Sequence, residues 1–434
     1  MNPLLLTLLV LTLAASSTRA EANPCPKNDK CSIWTYYVAA TETTWDYAPS
    51  GKNGFSGESL DKDGENSAVY AASSKGRIGK KYTKAVYVQY TDATFSKVKA
   101  RGADEEHLGI MGPVLRAEVN QVIRIVFKNM AGSPYSMHPH GVFYDKDNEG
   151  ASMGPDAGLG GSVAPGGNYT YTWPVPARAG PAEADVDSVA WAYHSHVAET
   201  DIYDGLYGPL VVYKPGRLSD VGLPKYDSAS FTPKREFFLS FVVGNENLSS
   251  FLARNVATFA GNTTFTDDEK MLLPAATQSN ATALALAPAP EGFGESNMMH
   301  NINGMFYGNL PGIAAELGDS VRFYLMAFGT EVDLHTIHWH GITVVSEGHR
   351  RDVIEALPAT FRVADAKLDN PGAWMIHCHV HDHFMAGMVA IFNITNPKQL
   401  LTANDFMASG SSTSFSVGSS VVGVLAAVAI AFAL

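Results

Sequence analysis

The chain has 434 residues, enough for two or three domains of ordinary size, and its formal net charge is −12. Nucleic-acid binding requires a basic face, so this balance argues against a nucleic-acid partner. An acidic surface is compatible with cationic substrates, although it also serves solubility alone. The 14 histidines and three cysteines carry most of the functional information.

The N-terminus has the pattern of a secretory signal. Residues 4–15 are an apolar run too short to span a bilayer, and the small-residue site Thr18-Arg19-Ala20 follows. We therefore expect a signal peptide over residues 1–20 and export into an oxidising compartment. Five sequons fit a secreted glycoprotein: Asn168, Asn247, Asn262, Asn280 and Asn393.

The C-terminus predicts attachment to a membrane. Residues 409–416 are small and polar, and residues 417–434 are apolar with no basic residue after them. This pattern favours a lipid (GPI) anchor signal with attachment near Ser409 to Ser411 on the extracellular face of the cell surface. The alternative is a transmembrane helix, but the clearly apolar part, 421–434, falls short of the ~20 residues that a span needs. We assign residues 401–434 to a stalk and this signal.

Between the two ends, the chain is rich in predicted β-strands. β-branched and aromatic residues dominate segments punctuated by Gly, Pro and Asn, namely 85–91, 121–128, 169–175, 236–243 and 320–328. Many short strands of this kind predict all-β sandwiches or barrels. A polar connector rich in Pro and Gly interrupts them, so we predict a first domain over 21–215, a linker over 216–234 and a second domain over 235–400.

Six His-x-His pairs occur in the chain, far more than chance placement would give. Residues i and i+2 of a strand point to the same face, so each pair aims two imidazoles in one direction. Imidazole suits copper, zinc and iron. The pairs fall in four segments: His138–His140, His194–His196, His335–His340 and His377–His383.

The fourth segment predicts a blue-copper electron-transfer site, which needs a thiolate, two imidazoles and a weak axial methionine. Cys378, His383 and Met388 come from one loop, and His335 can supply the other imidazole. This assignment also explains an odd cysteine in a secreted chain, because Cys25 and Cys31 lie close together and are expected to pair.

Eight histidines remain, which is the number that three coppers need when shared as two, three and three. They are His138, His140, His194, His196, His338, His340, His377 and His379. Because Cys378 lies between His377 and His379, it would connect the blue-copper site covalently to the three-copper site. Closed tetrahedral zinc sites do not fit eight paired histidines and one cysteine. A histidine-rich storage tract would have its histidines clustered, whereas these are dispersed along the chain. We expect His107, His349 and His381 to be bystanders.

These segments resemble the multicopper oxidases of the ceruloplasmin and hephaestin branch. The resemblance rests on TETTWDYA (41–48), HPHGVFY (138–144), ESNMMHNINGMFYGNLPG (295–312), GTEVDLHTIHWHG (329–341) and HCHVHDHFMAGM (377–388). It implies two cupredoxin-like Greek-key β-sandwich domains, four coppers per functional unit and O2 as the electron acceptor.

The resemblance also implies the role of each copper ligand. The type 1 copper would take His335, Cys378, His383 and Met388. The type 2 copper would take His138 and His338. The type 3 pair would take His140, His194, His196, His340, His377 and His379.

The same resemblance implies Fe(II) as the substrate. Its ligands would be Glu295, His300, Asp382 and, from a neighbouring domain, Glu331. Carboxylates are hard oxygen ligands that stabilise Fe(III) more than Fe(II), and Asp382 adjoins His383. Catalysis would then depend on Cys378, His377, His379, Glu295 and Asp382.

Two other functions remain open from the sequence. A laccase-like oxidase of phenols or amines would need an organic pocket beside His335 and His383. A non-catalytic copper-binding, adhesion or matrix protein would not need all of the copper ligands. The presence of the complete ligand set therefore argues against this function.

Typical family members have six such domains in a ring, with the trinuclear cluster between the first and the last. A two-domain chain can rebuild that ring as a homotrimer. We therefore expect the first-domain histidines to meet the second-domain ligands of another subunit, and Glu331 to reach a neighbour's iron site.

Overall fold

The computed structural model describes residues 32–62, 64–73, 77–152, 157–225, 233–260 and 292–397. The expected signal peptide, anchor signal and Cys25–Cys31 pair lie outside the described residues, as do Asn262 and Asn280. Among the helices within these ranges, none has the length and hydropathy needed to cross a bilayer.

The first domain is a sandwich of two four-stranded sheets. One sheet has the order β2-β1-β4-β6 and the other β3-β8-β7-β5. The strands are β1 (Ile33–Asp46), β2 (Lys81–Tyr90), β3 (Leu115–Glu118), β4 (Val122–Asn129), β5 (His138–Pro139), β6 (Asn168–Pro174), β7 (Ser188–His194) and β8 (Tyr207–Tyr213). Alternation builds the core: Ile123, Ile125 and Phe127 of β4 point inward, while Arg124, Val126 and Lys128 are only partly buried.

The second domain pairs a six-stranded sheet with a five-stranded sheet. Their orders are β10-β9-β12-β17-β14-β15 and β11-β19-β18-β13-β16. The strands are β9 (Arg235–Asn245), β10 (Met298–Ile302), β11 (Ala314–Glu316), β12 (Ser320–Ala327), β13 (His335–Trp339), β14 (Val344–Ser346), β15 (His349–Arg351), β16 (Val353–Ala356), β17 (Thr360–Lys367), β18 (Gly372–Cys378) and β19 (Val389–Thr395). The five segments predicted from composition coincide with β2, β4, β6, β9 and β12.

The two sandwiches share one topology. β1 pairs in parallel with β4 as β9 does with β12, and β3 pairs in parallel with β8 as β11 does with β19. The remaining neighbours are antiparallel in corresponding places. The prediction of two cupredoxin-like, all-β domains is therefore confirmed.

Helices are short and lie in connections. They are α1 (Asn66–Ala71), α2 (Asp201–Asp204), α3 (Leu252–Phe259), α4 (Phe293–Ser296) and α5 (His381–Met385). Single 3-10 turns occur at Glu106–Leu108, Lys146–Asn148, Leu159–Gly161, Ala177–Ala179 and Glu246–Leu248. These helices were not anticipated from the sequence because even α3, the longest one described, is too short to establish a helical period.

The two sandwiches are packed firmly on each other. Leu108 and Val211 of the first share a buried cluster with Phe238 and Tyr324 of the second. A buried ion pair also crosses the seam, since Lys84 Nζ lies 2.5 Å from Glu246 Oε1 with both side chains at most 2% exposed. Removing one partner of such a pair would leave an uncompensated charge in the interior, which is strongly destabilising.

One long excursion of the first domain, residues 47–80, runs across to the second domain. It contains α1, and its residues Leu60, Tyr70 and Ile78 share a buried cluster with Phe293 and Tyr307. The first domain therefore forms part of the surroundings of α4 and β10.

Candidate metal centres

Four imidazoles gather at one end of the first sandwich. They are the first-domain histidine group, His138, His140, His194 and His196. His138 lies opposite His194 across the β5–β7 ladder. The Nε2 atoms of His140 and His194 are 3.2 Å apart, and the His196 ring centroid is 5.1 Å from that of His138.

Backbone carbonyls orient this group. His138 Nδ1 lies 2.7 Å from the Glu149 carbonyl oxygen, and His194 Nδ1 lies 2.9 Å from that of Ser195. A ring N–H that donates to a carbonyl leaves the other nitrogen free to bind a metal. Burial and the neighbouring imidazoles lower the pKa of His140 to about 4 and that of His194 to about 3. Both rings are therefore neutral at physiological pH and available to a cation.

The second sandwich carries a matching set, the second-domain histidine group, His338, His340, His377 and His379. His338 faces His377 across the β13–β18 ladder, and the Nε2 atoms of His340 and His377 are 3.0 Å apart. The His379 ring centroid is 5.4 Å from that of His377. Burial is the main cause that lowers the pKa of His377 to about 4, and the adjacent imidazoles lower it further.

This second group opens onto solvent. His338 and His340 line a cavity of about 370 Å³ together with Asp352 and Asp369. His338 Nδ1 lies 2.9 Å from the Asp352 carbonyl oxygen, so Nε2 is the nitrogen left for a metal. The group therefore faces an open cavity at the surface of the second sandwich.

Cys378, His335 and His383 form a separate, buried thiol site. Cys378 Sγ lies 3.5 Å from His383 Nδ1, which lies 3.2 Å from His335 Nδ1. His335 Nε2 lies 3.3 Å from Asp333 Oδ1. The Nδ1 atoms therefore face the sulfur here, whereas Nε2 atoms face one another in both histidine groups.

The electrostatics of the thiol site favour the thiolate. Burial opposes ionisation of Cys378, but hydrogen bonds from His335, from His383 and from the backbone outweigh it and lower the thiol pKa to about 6. A thiolate is the form that binds a metal. Asp333 and Cys378 likewise outweigh burial at His335 and raise its pKa.

Met388 lies beside the thiol site, in the loop after α5. Its side chain is fully buried in the same core cluster as Cys378. Its backbone carbonyl accepts from the Cys378 N–H at 3.1 Å, and its own N–H donates to the His383 carbonyl at 2.9 Å. Gly387 precedes it at φ +106°, where an added Cβ would come within 2.6 Å of the Tyr307 ring.

The corresponding place in the first sandwich lacks the thiol and imidazole donors of this site. Ser195 sits between His194 and His196 as Cys378 sits between His377 and His379. Its hydroxyl donates to Asp201 Oδ2 at 2.6 Å, while Tyr135, three residues before His138, donates to Asp204 at 2.8 Å. Only the second sandwich therefore has a thiol site among the described residues.

The candidate iron residues lie at the edge of the thiol site. His300 on β10 is buried, and its ring centroid is 5.2 Å from that of His383. Glu295 on α4 and Asp382 on α5 are exposed. Three trios of the described residues have all their ligand atoms within 4.8 Å of one another: His138, His140 and His194; His338, His340 and His377; and His335, Cys378 and His383. Glu295, His300 and Asp382 are not such a trio, because their ligand atoms lie farther apart.

The other predicted residues lie apart from these centres. Glu331 is exposed in the loop between β12 and β13. Burial is the main cause that raises the pKa of Tyr203, and Asp333 and Glu331 add to it. His107 is buried and accepts from the Phe238 N–H at 3.0 Å, so its role is structural. His349 and His381 are exposed.

Two supporting residues were missed from the sequence. Asp333 precedes His335 by only two residues and contacts its Nε2, a spacing that could have revealed it. Tyr70 donates its hydroxyl to Glu295 Oε1 at 2.7 Å across 225 residues, and no local pattern announces that contact.

Comparison with known proteins agrees with this geometry. Residues 88–217 and 286–398 each match a family model described as multicopper oxidase. The chain therefore belongs to the multicopper oxidases, which are copper-dependent, oxygen-reducing oxidoreductases. The donor set fits that metal, because a thiolate, imidazoles and a methionine are ligands that copper accepts.

Among its relatives are human "Ferroxidase HEPHL1", 40% identical over 84% of this chain, and mouse "Hephaestin", 38% identical over 84%. Rat "Ceruloplasmin" is 39% identical over 84% of this chain. The chain spans 29%, 29% and 32% of the length of these three proteins, respectively.

Proposed function

We propose that the protein is a ferroxidase that couples oxidation of Fe(II) to reduction of O2, with the balance 4 Fe(II) + O2 + 4 H⁺ → 4 Fe(III) + 2 H2O. One observation carries the proposal: an exposed edge with two carboxylates and His300 lies against the buried thiol site, with the His300 and His383 rings 5.2 Å apart. The relatives named above as a ferroxidase, hephaestin and ceruloplasmin support it.

The copper assignment follows the three clusters. We assign type 1 copper to His335, Cys378, His383 and Met388, type 2 copper to His138 and His338, and the type 3 pair to His140, His194, His196, His340, His377 and His379. Bound copper would supply one-electron redox chemistry at the thiol site and a multi-electron acceptor for O2 at the histidine groups.

The chain's own residues give electrons a route between the two sites. His300 and Asp382 adjoin His383, so an electron from bound Fe(II) has to pass only one side chain to reach the thiol site. Cys378 continues through one peptide bond on each side to His377 and His379. Asp333 keeps His335 in a fixed orientation through Nε2.

The carboxylates favour the product state of the iron. Glu295 and Asp382 are hard oxygen donors, which interact more strongly with Fe(III) than with Fe(II) and so facilitate loss of the electron. Both are exposed, so the oxidised ion has a short path to solvent.

The trinuclear assignment calls for more than one copy of the chain. The His140 ring packs on Phe361 at 5.1 Å and the His194 ring on Phe328 at 5.9 Å, which places the first-domain group beside the six-stranded sheet. The second-domain group lies on the five-stranded sheet, and no ring contact between described residues joins the two groups. We propose a homotrimer in which the first-domain group of each subunit meets the second-domain group of the next, with Glu331 near a neighbour's iron site.

We further propose that the chain is exported, glycosylated and held at the cell surface by a lipid anchor. The support is the apolar run at 4–15, the sequons and the C-terminal pattern at 409–434. A phospholipase specific for GPI anchors should release the protein from intact cells, whereas a membrane-spanning form would stay in the membrane fraction.

A laccase-like oxidase is the second candidate function. Leu334, Leu357 and Met385 are 53%, 51% and 38% exposed. Leu334 and Met385 are close in sequence to His335 and His383, and Leu357 follows Ala356, the ladder partner of His335. Such apolar side chains could contact a phenol or an aromatic amine. The intact thiol site argues against a non-catalytic role.

One comparison separates these functions. Steady-state oxidation of Fe(II) and of a bulky phenol is measured for the wild type, Glu295→Ala and Asp382→Ala. A ferroxidase should lose Fe(II) oxidation selectively, with phenol oxidation retained or improved. Unchanged Fe(II) kinetics in both variants would disprove the iron site and favour the laccase-like reading.

A further inference from the structure

Tyr70 brings the first domain into contact with the candidate iron site. α1 packs against α4, and Tyr70 is only 8% exposed. Its hydroxyl donates to Glu295 Oε1 at 2.7 Å. Its ring meets the His300 ring edge-on, with centroids 5.7 Å apart and planes at 70°. Tyr70 therefore contacts two of the three residues that a chain would contribute to its own iron site, Glu295 and His300 but not Asp382.

This contact restrains a carboxylate that would otherwise be free. Glu295 is exposed on a helix of four residues, so its side chain has few neighbours of its own to hold it. Ordering an exposed glutamate costs rotamer entropy each time a cation binds. A hydrogen bond from a buried phenol removes that freedom beforehand and still leaves the second carboxylate oxygen for the cation.

We propose that Tyr70 is a positioning residue for Fe(II), which fixes the Glu295 carboxylate beside His300 and so sets the affinity for the ion. This inference rests on the proposed ferroxidase function. The first sandwich, which has no thiol site among its described residues, thereby contributes to the iron site of the second.

Tyr70→Phe tests the inference because it removes the hydroxyl and keeps the ring against His300. We expect the KM for Fe(II) to rise about three- to tenfold, as for loss of one hydrogen bond, with kcat within about twofold. Phenol oxidation and the blue absorption band should not change. Redox-inert Co(II), titrated into the copper-loaded protein and followed by its own absorption, should bind more weakly by a similar factor.

Tyr47→Phe is the matched control. Tyr47 donates to Glu246 Oε1 at 2.6 Å and belongs to the same buried cluster as Tyr70, but it has no contact with the iron residues. This variant should lower the Tm and leave the KM for Fe(II) unchanged. An equal rise in KM in both variants would mean that Tyr70 acts through general stability, and the inference would fall.

Combination with Glu295→Ala separates the remaining outcomes. If Tyr70 acts through Glu295, adding Tyr70→Phe to Glu295→Ala should produce no further rise in KM. A further rise would overturn the inference. If Glu295→Ala raises KM and Tyr70→Phe alone does not, the role of Tyr70 is disproved while the ferroxidase proposal stands. If neither Glu295→Ala nor Asp382→Ala alters Fe(II) oxidation, both proposals fail.

Discussion

The backbone carbonyl of Cys378 lies 2.9 Å from Nδ1 of His377. The residue that supplies the sulfur of the thiol site therefore also orients an imidazole of the second-domain histidine group. Hydrogen bonding and peptide bonds thus join two centres of different chemistry within a single dipeptide. A change at Cys378 should consequently be felt at both centres.

Replacing Cys378 by Ser should abolish the blue absorption and the oxidation of both Fe(II) and phenols. A hydroxyl does not ionise near neutral pH and cannot replace the thiolate as a copper ligand. Visible absorption and steady-state kinetics of the purified variant provide the check, with His349→Ala, an exposed histidine on β15, as control. Blue absorption that survives the Cys378 change would refute the copper assignment.

Asp333→Asn should destabilise the protein by about 1–3 kcal/mol, because buried donors lose a charged acceptor. Asp333 accepts from the Val243 N–H at 2.6 Å and the Thr330 N–H at 2.9 Å besides contacting His335. Loss of its negative charge should also raise the reduction potential at the thiol site, since the more positive copper state is no longer favoured. Urea unfolding and a redox titration measure the two effects. An unchanged potential would show that Asp333 has a structural role only.

Lys84→Met should cost about 3–5 kcal/mol of unfolding free energy, because Glu246 would remain buried without its cation. Lys62→Met is the matched control, since Lys62 pairs with Glu58 and Glu65 at the surface and such pairs contribute about 1 kcal/mol or less. Chemical denaturation of both variants gives the comparison. Equal losses would contradict the importance of the buried pair at the domain seam.

As the pH falls from 7 to about 4, the free energy of unfolding of the metal-free wild type should rise relative to that of Asp201→Asn. Burial is the main cause that raises the pKa of Asp201 to about 6, so the folded state binds a proton that the unfolded state releases. A raised acid pKa gives stability that is present at low pH and is lost as the pH rises through about 6, here at most about 3 kcal/mol. Urea unfolding at both pH values measures the change. Asp220→Asn, at an exposed position, is the control, and an equal pH dependence of the two variants would contradict the prediction.

Copies with complementary defects should restore activity to each other if the trinuclear cluster lies between subunits. One variant carries His138→Ala and His140→Ala, the other His338→Ala and His340→Ala, and each alone should be unable to reduce O2. Co-expression should restore about a quarter of the clusters, because a seam needs one intact group from each neighbour. Activity that stays absent in verified mixed oligomers, or a fully active monomer by mass, would exclude the shared cluster.

Much of the site could be predicted from residue spacing. A His-x-His pair in a strand has both rings on one face whatever its surroundings, and the ladders place His138 against His194 and His338 against His377. The thiol site was predictable for a similar reason, since Cys378, His383 and Met388 belong to one short loop.

Contacts between distant segments could not be predicted in this way. Tyr70 meets Glu295 only because the 47–80 excursion crosses the domain seam, and Lys84 meets Glu246 across 162 residues. Short helices such as α1 and α4 contain too few turns to show a period, so their existence depends on tertiary packing. The separation of the two histidine groups within one chain likewise follows from how the sandwiches dock.

Ser195 occupies the place in the first sandwich that Cys378 occupies in the second. Among the described residues, only Cys378 offers a thiolate. Each subunit would therefore receive its electrons at one small patch of its surface, beside the thiol site. Anything that covers this patch, whether an antibody, a bulky glycan or an iron-accepting protein, would control the turnover of the whole subunit without touching the oxygen-reducing centre.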